Sequence, residues 1–350
     1  MSVTQSEAVV PVAEQEPDPI YVVIVGLGNI GQSVARLIHQ RDHLSLVGGV
    51  DIEPDLSGRD LGDVLGLATP LGCEVSNDLA GSLRQLSPDV AVICTSSTLN
   101  DVAHQLRVCI REGVDVVSTC EELAYKSSSN GQLWESLDAE ARQGRVSILG
   151  TGVNPGFIMD ALPLFTTAVS ERIDRIYLHR VVDASKRRLA LQRKIGAGLG
   201  LDEFRGLASA GRMGHVGLME SAIMVSSCLG WTFDEIDSSI EPCIAESVVT
   251  TPYLTVEPGQ TTGVHQVIRG TKDGTTCLTL ELEMYVGATE SFDRIVVDGI
   301  PSLDVLLSGG IHGDIATRAI TVNSIPRVAE APPGLLAMTD IPIVFARGAV

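Results

Sequence analysis

The chain has 350 residues, 44% of them hydrophobic, and a mean hydropathy of +0.23; this excludes a wholly disordered protein and suits two domains sharing a cleft. Lys and Arg number 25 against 44 Asp and Glu, and the resulting net charge of −19 repels phosphate backbones and anionic lipid, so no nucleic-acid partner is expected. No apolar run approaches the ~20 residues of a membrane helix, the first 19 residues carry no basic-then-apolar leader, and the seven scattered cysteines form no C-x-x-C pair. We therefore expect a soluble cytoplasmic protein with reduced thiols and no membrane partner.

Residues 1–19, acidic and poor in apolar groups, read as a flexible tail. Tyr21 to Val25 is a short apolar run rich in β-branched residues, the pattern of a strand buried on both faces. It enters Gly26-Leu-Gly-Asn-Ile-Gly31, after which Val34, Leu37 and Ile38 recur at helical spacing. A second strand, Leu44 to Val50, ends at Asp51. Val90 to Cys94 is a third, followed by the polar turn Thr95 to Thr98 and a helix from Asn100 to Arg111 that stops at Gly113. Val114 to Ser118 is the next strand. A helix opening near Glu121 and another through Trp134 to Gln143 precede the strand Val146 to Leu149. Such alternation requires helical crossovers between parallel neighbours, so residues 20–155 are expected to form a Rossmann-type doubly wound α/β domain.

Beyond Asp160 the period changes. Leu278, Leu280, Leu282 and Met284 alternate with polar residues, the mark of a strand buried on one face. Ile173 to Val182, Ser247 to Val256, His265 to Arg269 and Phe292 to Val297 are further strand candidates, and Val216 to Leu229 reads as a covering helix. Residues 156–310 are therefore expected to form an α+β domain with a mainly antiparallel sheet. Residues 311–350, opening with helical character over Gly313 to Asn323, return to the first domain. A half-exposed sheet of this kind buries its free face against a second copy, which predicts a homodimer.

The glycine pattern sits between a buried strand and a helix, with Asp51 twenty residues beyond Gly31; that context is what a dinucleotide fingerprint requires. Gly26 makes the turn, Gly28 admits the pyrophosphate and Gly31 allows close packing, while Leu27, Asn29 and Ile30 carry the loop into the helix N-terminus. Asp51 would accept hydrogen bonds from the adenosine ribose and favours NAD; Arg59 offers an offsetting charge, so NAD and NADP both stay open. Thr95 and Ser96 are candidates for the cofactor path. Seven histidines, none paired at metal spacing, predict no metal site.

Thr151-Gly-Val-Asn-Pro-Gly-Phe-Ile-Met-Asp160 with Ser118-Thr-Cys-Glu-Glu122 resembles the 2,4-diaminopentanoate dehydrogenases and their relatives, the native amine dehydrogenases; Gly313-Asp-Ile-Ala-Thr317 and Val322-Asn-Ser-Ile-Pro326 add to the likeness. The plan is shared with dihydrodipicolinate reductases, whose His-His-x-x-Lys signature is missing here. The resemblance implies reversible NAD(P)-dependent amine oxidation, or reductive amination of a ketone or aldehyde with ammonia. It also implies a catalytic glutamate at the Glu121–Glu122 pair, and Glu122 is the preferred one. Cys120, Asn154 and Asn323 are expected near the cofactor, and Pro155, Phe157, His179, Arg180 and His215 at the substrate pocket. The run Lys186 to Arg188 reads as a solvated face. Two other readings stand beside this one: a carbonyl dehydrogenase of the homoserine or semialdehyde type, and a non-catalytic dinucleotide-binding sensor.

Overall fold

The computed structural model describes residues 18–348, so the expected tail lies outside the described residues apart from its last two positions. β1 (Ile20–Val25) leads through the glycine loop into α1 (Asn29–His39) and β2 (Leu44–Val50). Three short elements follow: α2 (Leu61–Leu65), β3 (Val75–Ser76) and α3 (Leu79–Leu86). β4 (Val90–Ile93), α4 (Leu99–Glu112), β5 (Asp115–Ser118), α5 (Gly131–Gly144) and β6 (Ser147–Gly150) complete the alternation.

The helix expected to open near Glu121 is instead a single 3-10 turn, Glu121–Leu123. The Asn130 side-chain amide donates to the carbonyls of Glu122 and Tyr125, which removes acceptors that a continuing helix would use.

The second half comprises α6 (Ala161–Thr166), β7 (Arg172–Asp183), α7 (Leu189–Lys194), α8 (Leu201–Ser209) and α9 (Leu218–Cys228). Seven strands follow: β8 (Glu235–Ile244), β9 (Val249–Thr250), β10 (Thr255–Val256), β11 (Thr261–Lys272), β12 (Thr275–Tyr285), β13 (Phe292–Ile300) and β14 (Leu303–Ser308). The single strand expected over Ser247 to Val256 is a small hairpin of β9 and β10. The Thr251 hydroxyl bends the chain there, accepting from the Tyr253 and Leu254 N–H groups. Finally α10 (Gly313–Val328) and β15 (Gly334–Leu336) return to the first sheet, α10 against α1 and β15 beside β6.

The first sheet has seven strands in the order β15-β6-β5-β4-β1-β2-β3, and every pairing is parallel. Val22, Val23, Ile24, Val90, Val92 and Ile93 are fully buried between its helical layers, each contributing ~1.5–3 kcal/mol of burial. The second sheet runs β14-β13-β7-β12-β11-β8 and is antiparallel except for the parallel pair β7–β12. Ile176, Leu178, Leu278, Leu280, Ile295 and Val297 point to its inner face and pack with Leu218, Ala222 and Val225 of α9. Residues alternating with these face the other way. No helix among the described residues is long and apolar enough to cross a membrane.

Candidate active site between the two sheets

From β1 the chain winds to β2 and β3 on one side, then crosses to β4 on the other; the crevice outside the carboxyl ends of the strands at this switch point is where doubly wound sheets hold ligands. The glycine loop fits a dinucleotide there. A Cβ at Gly31 would lie 1.8 Å from the Gly26 carbonyl oxygen, so only glycine lets α1 start against the turn. Gly28 has open space where its Cβ would be, leaving the backbone bare for a pyrophosphate at the N-terminus of α1. Asp51 accepts from the N–H of Leu27 at 2.5 Å and from that of Glu53 at 2.8 Å, which fixes its carboxylate at the end of β2. A cavity of about 590 Å³ beside it is lined by Gly26, Gly28, Asp51, Ile52 and Thr95. Arg111 joins this wall; Arg59, expected to offset Asp51, is exposed and does not.

A second cavity of about 370 Å³ adjoins the first at Cys94 and Thr95 and reaches across to the second sheet. Ile30, Ser96, Glu121, Asn154 and Pro155 form its near wall; Arg180, His215, Leu282 and Met284 form the far one. The two neighbouring glutamates part here. On a 3-10 turn successive side chains diverge by ~120°. Glu121 lines the cavity, whereas the Glu122 carboxylate turns back and accepts from the Leu99 N–H at 2.8 Å, capping the first turn of α4. The preference for Glu122 is thus at odds with the geometry. Room for Glu121 comes from Gly217, at φ +93°, where a Cβ would meet Pro155 at 2.4 Å and the Glu121 Cβ at 3.0 Å.

The Asn154 turn is braced from behind. Asp160, fully buried, accepts from the N–H groups of Gly156 (2.8 Å) and Ala161 (2.5 Å) and from the Ser221 hydroxyl (2.7 Å). Burial pushes its carboxyl above the usual range, against those three donors. The Asn154 carbonyl accepts from His215 Nε2 at 2.8 Å, and the His215 N–H donates to Gln266 at 2.7 Å. Desolvation lowers the pKa of His215, with the Glu121 charge acting in the opposite sense. A neutral ring that donates through Nε2 keeps Nδ1 as an acceptor.

Of the other expected residues, Arg180 reaches the cavity, its guanidinium paired with the equally buried Asp293 at 2.9 Å. His179, adjacent on β7, points to the opposite face of the sheet and meets Glu283 at 2.9 Å, so it is not a pocket residue. Phe157 packs into the core under α9 rather than the cavity, because the turn at Gly156 directs it inward. The Cys120 side chain lies in the core of the first sheet, where burial pushes its thiol up to about 12. Asn323, three turns into α10, sits too far along that helix; its first turns bring Gly313, Asp314 and Thr317 to the cavity instead. Leu27 is buried and contributes its N–H to Asp51, and Asn29 is exposed at the start of α1.

Sequence reasoning missed Arg187, Arg188 and Lys194. Of the run read as a solvated face, Lys186 is exposed and outside the cavity lining, whereas Arg187 and Arg188 line it, and Arg187, 9% exposed, donates to Asp314 at 2.7 Å across the gap to α10. Gly313 makes way for it: a Cβ there would lie 3.1 Å from the guanidinium. The position of the run directly after the inward-facing end of β7 was the available signal.

Residues 157–348 match the model of the 2,4-diaminopentanoate dehydrogenase C-terminal domain, and residues 20–122 that of the dihydrodipicolinate reductase N-terminus. The chain is 28% identical over 338 residues to 2,4-diaminopentanoate dehydrogenase of Acetoanaerobium sticklandii, covering 93% of this chain and 94% of that one. It is 23% identical to an amine dehydrogenase of Streptomyces virginiae, over 93% and 96% of the two. Among solved structures, the amine dehydrogenase of Mycobacterium smegmatis superimposes with a TM-score of 0.83 at 27% identity, over 94% and 97% of the chains. With the family model spanning more than half of its length, the chain belongs to the 2,4-diaminopentanoate dehydrogenase family and is an oxidoreductase.

Proposed function

We propose that the protein is an NAD(P)-dependent amine dehydrogenase that interconverts a small amine with its ketone or aldehyde and ammonia. One observation carries this reading: a carboxylate, Glu121, lines the inter-sheet cavity beside the groove that fits the dinucleotide. The amine-acting relatives support it.

An aliphatic amine titrates near ~10 and arrives as ammonium. Glu121 takes a proton from that nitrogen; in the reverse direction it returns one to the hydroxyl that leaves as water. The carboxylate left by that donation then stabilises the iminium. The nicotinamide cofactor, when bound, accepts or supplies the hydride. Pro155 and the backbone of Asn154 wall the substrate against Glu121, the buried Asn154 amide being engaged instead by Met159 and Ser221, and His215 Nδ1 is an acceptor for a substrate N–H.

Four cations line the cavity, Arg180, Arg187, Arg188 and Lys194, against two acids, Glu121 and Asp314. Arg180 and Arg187 have ion-pair partners, while Arg188 and Lys194 have none among the described residues. This excess favours a substrate that carries a carboxylate as well as the reacting amine, such as a diamino acid or an amino ketone acid. Glu121 at one end and the cationic wall at the other orient such a molecule across the cleft.

The test is cofactor consumption with small keto acids, with and without ammonium. Oxidation of NADH or NADPH is expected only when ammonium is present; equal rates without it would point to a carbonyl dehydrogenase. Membership of a dehydrogenase family speaks against the sensor reading. We also propose a homodimer formed through the free face of the second sheet, and a cytoplasmic location, supported by seven unpaired cysteines. Light scattering at micromolar concentration is expected to give the mass of two chains; a mass of one chain contradicts the dimer.

A further inference from the structure

The face of the second sheet turned away from the cavity, the same face through which the dimer is proposed to form, carries a group of side chains with no part in the chemistry above. His179 on β7 and Glu281 and Glu283 on β12 present one donor atom each, and the three atoms all lie within 4.8 Å of one another. His179 is more than a hundred positions from the two glutamates, and they meet because β7 pairs with β12 in parallel register, Glu281 opposite His179. Spacing along the chain therefore concealed the group.

We propose that His179, Glu281 and Glu283 bind one first-row divalent cation of the zinc class. Three features support this. The donor set, one imidazole nitrogen and two carboxylate oxygens, is that of borderline metal sites with positions left for water. The ligands are already oriented from behind: Glu281 accepts from the Tyr177 hydroxyl at one oxygen and meets His265 Nε2 at 2.8 Å at the other, while the His179 ring packs edge-on against Phe292 at 4.9 Å. Hydrogen-bonded carboxylates and a fixed imidazole are what metal sites keep around their ligands. Finally, the three side chains are between 19% and 27% exposed in a single chain, so the three donors meet in a half-dry setting. The neighbouring cation on this face, Arg294, is engaged by Asp304 at 2.5 Å.

The site lies back to back with the substrate wall. Along β7 His179 faces out and Arg180 in; along β12 Glu281 and Glu283 face out and Leu282 in. A bound ion would thus pin together the two central strands that carry Arg180 and Leu282 to the cavity.

The test uses full-length protein stripped of metal, titrated with Zn²⁺ against a chromophoric chelator and with Co²⁺ followed by its visible absorption. One ion per chain is expected, without the near-ultraviolet band of a cobalt–thiolate bond. His179→Ala and Glu283→Gln should each weaken Zn²⁺ binding by about 100-fold or more, whereas Cys228→Ser, at the exposed cysteine, should leave it within about threefold. Retained dinucleotide binding serves as the check on folding, and His179→Gln replaces His179→Ala if the latter does not fold. No ion held by the wild type, a cobalt–thiolate band, or variants that bind Zn²⁺ as tightly as the parent would each overturn the assignment.

Discussion

Glu121→Gln is expected to lower kcat/KM for reductive amination by about 10²–10⁴-fold, the range for loss of a positioned acid–base group. Affinity for the dinucleotide should stay within about threefold, because its groove is built from other residues. The change keeps the shape of the side chain and its fit against Gly217, so folding is preserved. Glu122→Gln serves as the contrast. Its amide oxygen can still accept from the Leu99 N–H, and turnover should remain near normal. Glu122→Ala removes the cap and should cost about 1 kcal/mol of stability, read by denaturant unfolding, again with little loss of activity. Near-normal rates in Glu121→Gln with loss of rate in Glu122→Gln would move the catalytic role to the other residue.

The second large effect concerns the cationic wall. Replacing Arg188 and Lys194 together (Arg188→Gln with Lys194→Met) removes the two lining cations that lack an ion-pair partner among the described residues. A hydrogen bond to a charged group is worth ~1.5–3 kcal/mol. Accordingly kcat/KM for a keto acid should fall about 10- to 100-fold, while that for a ketone of similar size without a carboxylate should change little. Equal losses for both substrates would mean that the wall supports the fold of the loop and not recognition of a carboxylate. Arg187 is a poorer probe, since its removal leaves Asp314 without its partner and exposes a structural bridge to α10.

The order of elements in the first sheet was legible because parallel strands buried on both faces must be apolar runs, as at Val22 to Val25 and Val90 to Ile93. The glycine loop was legible for a related reason: Gly31 and Gly28 each answer a distinct steric demand. Elements with half-exposed patterns were harder. β8 is an edge strand with no fully buried residue and with Pro242 in it, so little alternation marks it. β14, at the opposite edge, alternates over only six residues.

At the site, everything that depended on which way a side chain turns lay beyond the sequence. Glu121 and Glu122 are chemically alike, and a single 3-10 turn separates them. His179 and Arg180 are separated by the pleat of β7, whose phase is set by packing against α9. Arg187 looked like part of a solvated run because its partner, Asp314, is 127 residues away. The parallel pairing of β7 with β12 was equally hidden, since the intervening chain passes through four other strands before β12 joins it.

The central claim is that the carbon exchanging hydride also exchanges nitrogen. It is tested most directly by supplying ¹⁵N-ammonium with a small keto acid and reduced cofactor, then analysing the product by mass spectrometry. One ¹⁵N incorporated per cofactor oxidised is the predicted result. A hydroxy acid formed in step with cofactor oxidation, with no label in it, would contradict the account.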